Sequence, residues 1–148
     1  MHLLRGTGGV LFPLSAAPCL NGDWQAPAQR SDGTPFSSES DCTTYTSGGG
    51  VVYKPSLITV PTHVSEGQNI DMIASGFHPS SLGTVTVAVL GGGSGSVGLP
   101  ALTDATGGFA TTSVMNPGAC ANLQTGQQLT YVDGFGVHAS ATVTLDCL

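Results

Sequence analysis

The segment Thr-Val-Thr-Val-Ala-Val-Leu at residues 84–90 decides the fold class of this chain. Val85, Val87 and Val89 alternate with threonine or alanine, and an apolar period of two is typical of a β-strand with one buried face. Similar short runs recur along the second part of the chain, between Gly, Pro, Asn and Asp residues that favour turns. They predict further strands at 57–60, 69–77, 109–115, 128–133 and 137–145.

Six or seven short strands at intervals of about 10 to 15 residues predict an antiparallel β-sandwich. No segment free of Gly and Pro has apolar residues at helical spacing, so we expect no helix of ordinary length. The predicted fold class is therefore all-β. The apolar positions of the strands predict a core drawn from Ile70, Met72, Val85, Val87, Val89, Phe109, Leu129, Tyr131, Val143 and Leu145.

The composition limits the classes of function. The chain has 148 residues, a single-domain length, and only 8% of them are charged, against about 25% in an average soluble protein. Three basic residues stand against nine acidic ones, and the net charge of −6 repels polyphosphate, so nucleic acid is excluded as a partner. The chain has no run of about 18 apolar residues, so no transmembrane segment is expected.

Four cysteines, Cys19, Cys42, Cys120 and Cys147, form neither a Cys-x-x-Cys pair nor a zinc-type cluster with histidines. Disulfides are their expected state, and three pairings are open. Strand-like sequence fills the gap between Cys42 and Cys120, whereas each outer pair brackets its own short segment, so locality favours Cys19–Cys42 and Cys120–Cys147. Such bridges persist in an oxidising compartment, which predicts a secreted, extracellular or cell-surface location.

The chain divides into an N-terminal segment, residues 1–18, a first part, residues 19–50, and a second part, residues 51–148. Residues 1–18 combine a basic residue, an apolar run and small residues, and are expected to be either a partial signal peptide or an irregular N-terminal tail. Residues 19–50 are polar and end in a glycine-rich hinge at 47–50. Residues 51–148 carry the strand pattern and are expected to form the sandwich.

Four motifs of the second part match a known class of module. They are Pro55-Ser56-Leu57, Val64-Ser65-Glu66-Gly67-Gln68, Ala74-Ser75-Gly76-Phe77 and Thr103-Asp104-Ala105-Thr106-Gly107-Gly108-Phe109. With these motifs, residues 55–148 resemble the immunoglobulin-like β-sandwich modules of bacterial secreted proteins, which implies about seven strands. Residues 74–77 and the turn after Thr103 are also similar to the neocarzinostatin-type apoproteins, and this resemblance implies a cleft for a small apolar ligand.

The first part has a pattern of its own, Cys-x-Asn-Gly-x-Trp followed by an aromatic residue and a closing cysteine. It is carried by Cys19, Asn21, Gly22, Trp24, Phe36, Asp41, Cys42 and Tyr45. In this pattern the segment resembles a small cystine loop of actinobacterial secreted proteins. We expect Trp24, Phe36 and Tyr45 to form a small apolar cluster beside the bridge.

Residue types that catalyse or bind metals are present but scattered. His63, His78 and His138 lie in separate turns and strands, and no serine occupies a Gly-x-Ser-x-Gly elbow, so a hydrolase is only a remote alternative. Isolated aspartates such as Asp104 suit turns better than a calcium loop. The glycine-rich loop 91–98 lacks the lysine and helix of a phosphate-binding loop. We therefore expect no catalytic residue, no metal site and no cofactor.

The expected function is contact without catalysis. The chain is predicted to be an exported β-sandwich that acts as a cell-surface, envelope or assembly-associated interaction module, with a protein partner or by self-assembly. Low charge favours such contact, because few charged groups lose their hydration when the surface is covered. The contact candidates are the side chains of Trp24, Phe36, Tyr45 and Phe135. The alternative is a sandwich that binds a small apolar ligand in a cleft.

Overall fold

The structure is a computed structural model that describes residues 3–5, 11–93 and 95–147, with side-chain burial from residue 17 onward. A largely 3-10 segment, Leu14–Gly22, precedes the helix α1 (Glu39–Ser47). The strands in chain order are β1 (Leu3–Arg5), β2 (Leu11–Pro13), β3 (Ser56–Val60), β4 (His63–Val64), β5 (Asn69–Ser75), β6 (Leu82–Gly91), β7 (Ser96–Leu102), β8 (Phe109–Val114), β9 (Gln124–Val132) and β10 (His138–Leu145).

Strands β3 to β10 form a two-sheet sandwich. The smaller sheet has the order β3-β5-β8 and is antiparallel, while the larger sheet has the order β4-β10-β9-β6-β7. In the larger sheet only the two-residue strand β4 runs parallel to its neighbour, β10. The all-β sandwich predicted from the alternating segments is thus confirmed, and the described residues add two sandwich strands that were not expected, β4 and β7, the second of which begins within the predicted loop 91–98.

The core between the two sheets contains most of the residues expected there. Its fully buried members include Ile70, Met72, Val85, Leu129, Tyr131, Val143 and Leu145. Val87 and Phe109 are only partly buried, and Val89, which is also partly exposed, lies outside the buried cluster. The prediction that Val89 is buried with Val85 on the inner face of β6 is therefore wrong, because the three-stranded sheet leaves part of the five-stranded sheet uncovered.

The nine-residue helix α1 corrects the expectation that the chain has no helix of ordinary length. Ser38 caps it, since its hydroxyl accepts a hydrogen bond from the Asp41 backbone N–H at 3.0 Å. Glu39 and Asp41 place negative charge in the first turn, where the helix dipole favours it. Cys42 then ties the helix to Cys19. A cap and a covalent link therefore stabilise a helix whose sequence lacks the apolar period used to detect one.

Both predicted disulfides are present. Cys19 bonds Cys42 with 5.7 Å between their Cα atoms, and Cys120 bonds Cys147 with 5.8 Å. The first bridge lies in a second small core, and the second joins the β8–β9 connection to the chain after β10. The locality of each pair in sequence therefore predicted the correct partners.

The first part of the chain packs onto one end of the sandwich. Gln29 exchanges two backbone hydrogen bonds with Tyr53, at 2.8 and 2.9 Å. Its side-chain amide also binds His138, donating to the carbonyl at 2.8 Å and accepting from the N–H at 3.1 Å. Nearby, Gly33 (φ 88°) lies so close to Gly136 that a Cβ atom at Gly33 would collide with the Gly136 carbonyl. The two parts are therefore joined by specific polar contacts and close backbone packing.

The N-terminal residues are described only in part. β1 and β2 pair as an antiparallel hairpin that leads into the 3-10 segment. The predicted signal peptide or tail, residues 1–18, includes residues 1, 2 and 6–10, which lie outside the described residues. No helix within the described ranges has the length and apolar character needed to cross a membrane.

Candidate functional site

A cleft opens where the two sheets differ in width. Strand β7 forms one edge of the five-stranded sheet, and no strand of the smaller sheet among the described residues lies over its inner face. Val97 and Leu99 are consequently 53% and 48% exposed, although both are paired in register with inward-facing positions of β6. Exposed aliphatic side chains at inward positions mark a core that has been left open on this side.

The cleft has a volume of about 300 Å³ and lies between β7 and β8. Met72, Val85 and Leu99 form its apolar floor. Inward-facing Phe109, Thr111 and Ser113 of β8 form one wall, and residues 100–102 of β7 form the opposite rim. A volume of this size is at the lower end of the range for ligand-binding pockets.

The chemistry of the cleft is apolar with a few uncharged polar groups. Among the described residues that line it, no side chain is ionisable. Thr111 and Ser113 supply hydroxyl groups that can donate or accept hydrogen bonds. A charged group placed here would lose hydration without finding a counter-ion, so the cleft selects uncharged, mainly apolar ligands.

A second cluster lies at the end of the sandwich, between the β5–β6 and β9–β10 connections. The ring of His78 is stacked between Tyr53 and Phe135, with a centroid distance of 4.1 Å and an interplanar angle of 26° on each side. Its Nδ1 atom lies 2.9 Å from Oδ2 of Asp133, whose side chain is fully buried. Through Tyr53, this cluster connects the segment just after the glycine-rich hinge to two turns of the sandwich.

Asp133 is held in its ionised form by hydrogen bonds. Burial by itself raises the pKa of Asp133, but hydrogen bonds from the backbone and ring of His78 and from the Phe135 backbone outweigh burial, so the pKa lies below its ordinary value. The other carboxylate oxygen accepts the backbone N–H groups of residues 135, 136 and 137 at 2.9 to 3.1 Å. The carboxylate therefore shapes the β9–β10 turn.

Each of the three histidine candidates contacts a different group. His63 lies 3.3 Å from Asp146 at an exposed position, and His138 contacts the Gly136 carbonyl at 3.0 Å. In the described part of the chain, no serine hydroxyl is hydrogen-bonded to the His78 ring. The His78–Asp133 pair resembles two members of a hydrolytic triad.

Asp104 occupies a turn rather than a cluster of metal ligands. Its carboxylate accepts hydrogen bonds from the Thr106 side chain at 2.6 Å and from the backbone N–H groups of Thr106 and Gly108, and these contacts lower its pKa. Within the described ranges, no group of three or more His, Cys, Asp or Glu side chains is arranged to hold a metal ion.

The aromatic contact candidates have different surroundings. Phe36 is only 6% exposed, and its ring packs in the small core around Cys19. The prediction of Phe36 as a contact residue is therefore corrected. Trp24 and Tyr45 are partly buried against the same core. Phe135 is 59% exposed, with its ring stacked on His78. Phe135 is therefore the candidate with the most accessible ring.

The lining of the cleft was not recognised in the sequence. Leu99, Thr111 and Ser113 lie in short strands whose composition resembles that of any sandwich strand. The resemblance to the neocarzinostatin-type apoproteins implied a cleft but not its lining, and the inward alternation of β6 predicted more buried apolar surface than three facing strands can cover. An unequal number of strands in the two sheets depends on long-range pairing, and no local motif encodes it.

No family model and no curated protein matches the chain. Among solved structures, the chain is similar to macromomycin, of the neocarzinostatin-type apoprotein family, with a TM-score of 0.47 and 13% identity over 62% of this chain and 99% of macromomycin. It is also similar to Spo0M, a sporulation control protein from Bacillus subtilis, with a TM-score of 0.36 and 6% identity over 64% of this chain and 49% of Spo0M.

Proposed function

We propose that this protein is a non-catalytic binding module, and that the cleft between β7 and β8 holds an uncharged, mainly apolar ligand. The observation that carries the proposal is the open volume of about 300 Å³ with an apolar floor, lined in the described part of the chain by no ionisable side chain. Covering Leu99, which is 48% exposed, and the apolar floor beside it would remove apolar surface from water, and this provides the driving force for binding.

We also infer that the sandwich belongs to the immunoglobulin-like class and that the protein is exported. In support, the order β3-β5-β8 corresponds to strands A-B-E of that class, and β10-β9-β6 corresponds to G-F-C. Two disulfides in a chain of this size favour an oxidising compartment. The ligand would then be met outside the reducing cytosol.

A neutral, environment-sensitive dye such as Nile red tests the proposal. Its fluorescence is expected to rise on binding to the native protein. Leu99→Asp places a carboxylate in the cleft at a position that is already half exposed, so the fold should survive while the affinity falls about tenfold or more. Ile58→Asp is the matched control, because Ile58 is 50% exposed on the outer face of the smaller sheet.

The control variant should bind the dye within about twofold of the unmodified protein. Two results contradict the proposal: no dye binding to the native protein, or an equal loss of affinity in both variants. Thermal unfolding of both variants is measured alongside, so that a loss of binding is not confused with a loss of structure.

Contact with a protein partner is the second candidate function, and an exposed apolar patch favours it. Leu82 and Leu102 are cross-strand neighbours with 63% and 61% of their surface exposed, and Gly134 packs against the Leu82 carbonyl beside exposed Phe135. Contiguous apolar surface of this kind is characteristic of interaction sites. The patch defined by Leu82, Leu102 and Phe135 lies at the end of the sandwich, next to the packed first part of the chain.

A further inference from the structure

We propose that the natural ligand of the cleft is an extended, uncharged peptide segment that adds to the free edge of β8 as a fourth strand of the smaller sheet. This inference rests on the proposed function, since it specifies what the cleft holds. Strand addition needs an exposed sheet edge for main-chain hydrogen bonds and pockets for alternate side chains. Both features meet between β7 and β8.

The edge of β8 is open to pairing. β8 is paired only with β5 among the described strands, and its six residues contain no Pro, Gly or charged side chain. The other edges carry features that discourage pairing: β7 contains Gly98 and Pro100, β3 lies between Pro55 and Pro61, and β4 has two residues. Natural sheets usually protect their edges, so an unprotected one next to a cleft indicates a place where a strand is received.

The backbone groups available on β8 can be assigned. Met115 donates its N–H to the Gln68 carbonyl at 2.9 Å, on the side of β5. Because backbone direction alternates along an antiparallel strand, Thr111 and Ser113 also point their N–H and C=O groups toward β5. Ala110 and Thr112 point theirs outward, to the side of the cleft. An added strand would pair with these groups.

The side chains of the added strand would meet the floor of the cleft. Strands in a sheet lie about 4.8 Å apart, and alternate side chains point to opposite faces. Every second residue of the segment would therefore cover Val97 and Leu99, while the others would continue the outer face beside Ala110 and Thr112. Because the cleft has no ionisable lining residue, the inward positions call for uncharged aliphatic side chains. A compact small molecule would leave most of the edge groups unpaired.

The probe is a fluorescently labelled peptide that alternates Val and Ser over eight residues, with one Lys at each end for solubility. The full chain is expected to bind it, and the peptide is expected to displace Nile red. Two further peptides carry N-methyl groups, one on every Ser and the other on every Val. The N–H groups of alternate residues face opposite edges of a strand, so one of these two peptides should lose about tenfold or more in affinity while the other keeps it.

A protein variant tests the same edge from the other side. Ala110→Pro removes an outward N–H without removing a hydrogen bond to β5, and edge strands accept Pro at such positions. The matched control, Ala110→Ser, keeps the N–H. We expect Ala110→Pro to weaken peptide binding about tenfold or more and Ala110→Ser to stay within about twofold, with the thermal unfolding of both variants measured alongside. If Ala110→Pro fails to fold, the affinities of the two methylated peptides for the native chain test strand addition without this variant.

The outcomes separate this inference from the proposed function. If Nile red binds but the peptide does not, or if both methylated peptides bind like the parent or lose affinity equally, strand addition is wrong and the cleft remains a site for small apolar molecules. If neither Nile red nor the peptide binds, the proposed function fails as well. Displacement of the dye, together with unequal effects of the two methylated peptides, supports the inference.

Discussion

Replacing Asp133 with Asn should be among the most costly single changes in this protein. The carboxylate is fully buried and accepts hydrogen bonds at both oxygens. Oδ1 binds the N–H groups of residues 135, 136 and 137, and Oδ2 binds the N–H and Nδ1 of His78 at 3.0 and 2.9 Å. Asp133→Asn keeps the size of the side chain and one carbonyl oxygen. In one orientation the new amide NH₂ group faces the two donors of His78, and in the other it faces the three backbone N–H donors of the turn.

The expected cost follows from the donors left without a partner. Each buried donor left unsatisfied costs about 1–3 kcal/mol, and more when the acceptor that was lost carried a charge. We therefore expect Asp133→Asn to lower the free energy of unfolding by about 3–5 kcal/mol near neutral pH. For a chain of this size, 1 kcal/mol corresponds to about 2–4 °C, so the midpoint of thermal unfolding should fall by about 10 °C.

The effect should depend on pH with a definite sign. Because the pKa of Asp133 is lowered in the folded protein, its ionised form stabilises the fold fully above the unfolded value of about 4, and this stability is lost as the pH falls through the lower folded value. Asp133→Asn cannot titrate, so the difference in stability between the two proteins should be largest near neutral pH and shrink in acid.

Urea unfolding at a series of pH values measures both effects. Asp104→Asn is the control, because Asp104 is also a turn carboxylate but is exposed, and its replacement should cost well below 1 kcal/mol. The reasoning is refuted if Asp133→Asn costs less than about 1 kcal/mol, or if its deficit relative to the unmodified protein is unchanged between neutral and acidic pH.

Two further variants, one single and one double, test the aromatic and apolar surfaces. Trp24→Ala should loosen the first part of the chain, because Trp24 packs on the small core around Cys19. Hydrogen exchange should then be faster for the amides of residues 17–53 and unchanged for those of β5 and β9. Equally faster exchange in all of these segments contradicts the prediction. Phe135→Ser combined with Leu82→Ser should abolish any self-association seen by sedimentation of the native chain, while Ile58→Ser should not; equal behaviour would exclude the patch as a contact surface.

The sequence by itself determined the sandwich, most of its core and both disulfides. These features depend on local properties: alternation along single strands such as β6, turn residues between strands, and cysteines close in the chain to their partners. Local alternation states which side chains of a strand point to the same face. For Ile70, Met72 and Leu129, a position on the apolar face of a strand was enough to predict that the side chain is buried.

Only the tertiary structure decided where the core stops and what lies beside it. Val89 follows the same alternation as Val85 but is not buried in the core, because three strands face five. The cleft, the open edge of β8 and the placement of His78 against Asp133 all arise from pairings between distant segments. The helix α1 was missed for a related reason: its support comes from a cap and from Cys19, neither of which appears as a period in its own residues. A strand's own sequence specifies its faces, whereas the number of strands opposite it is set by the free energy of the whole fold.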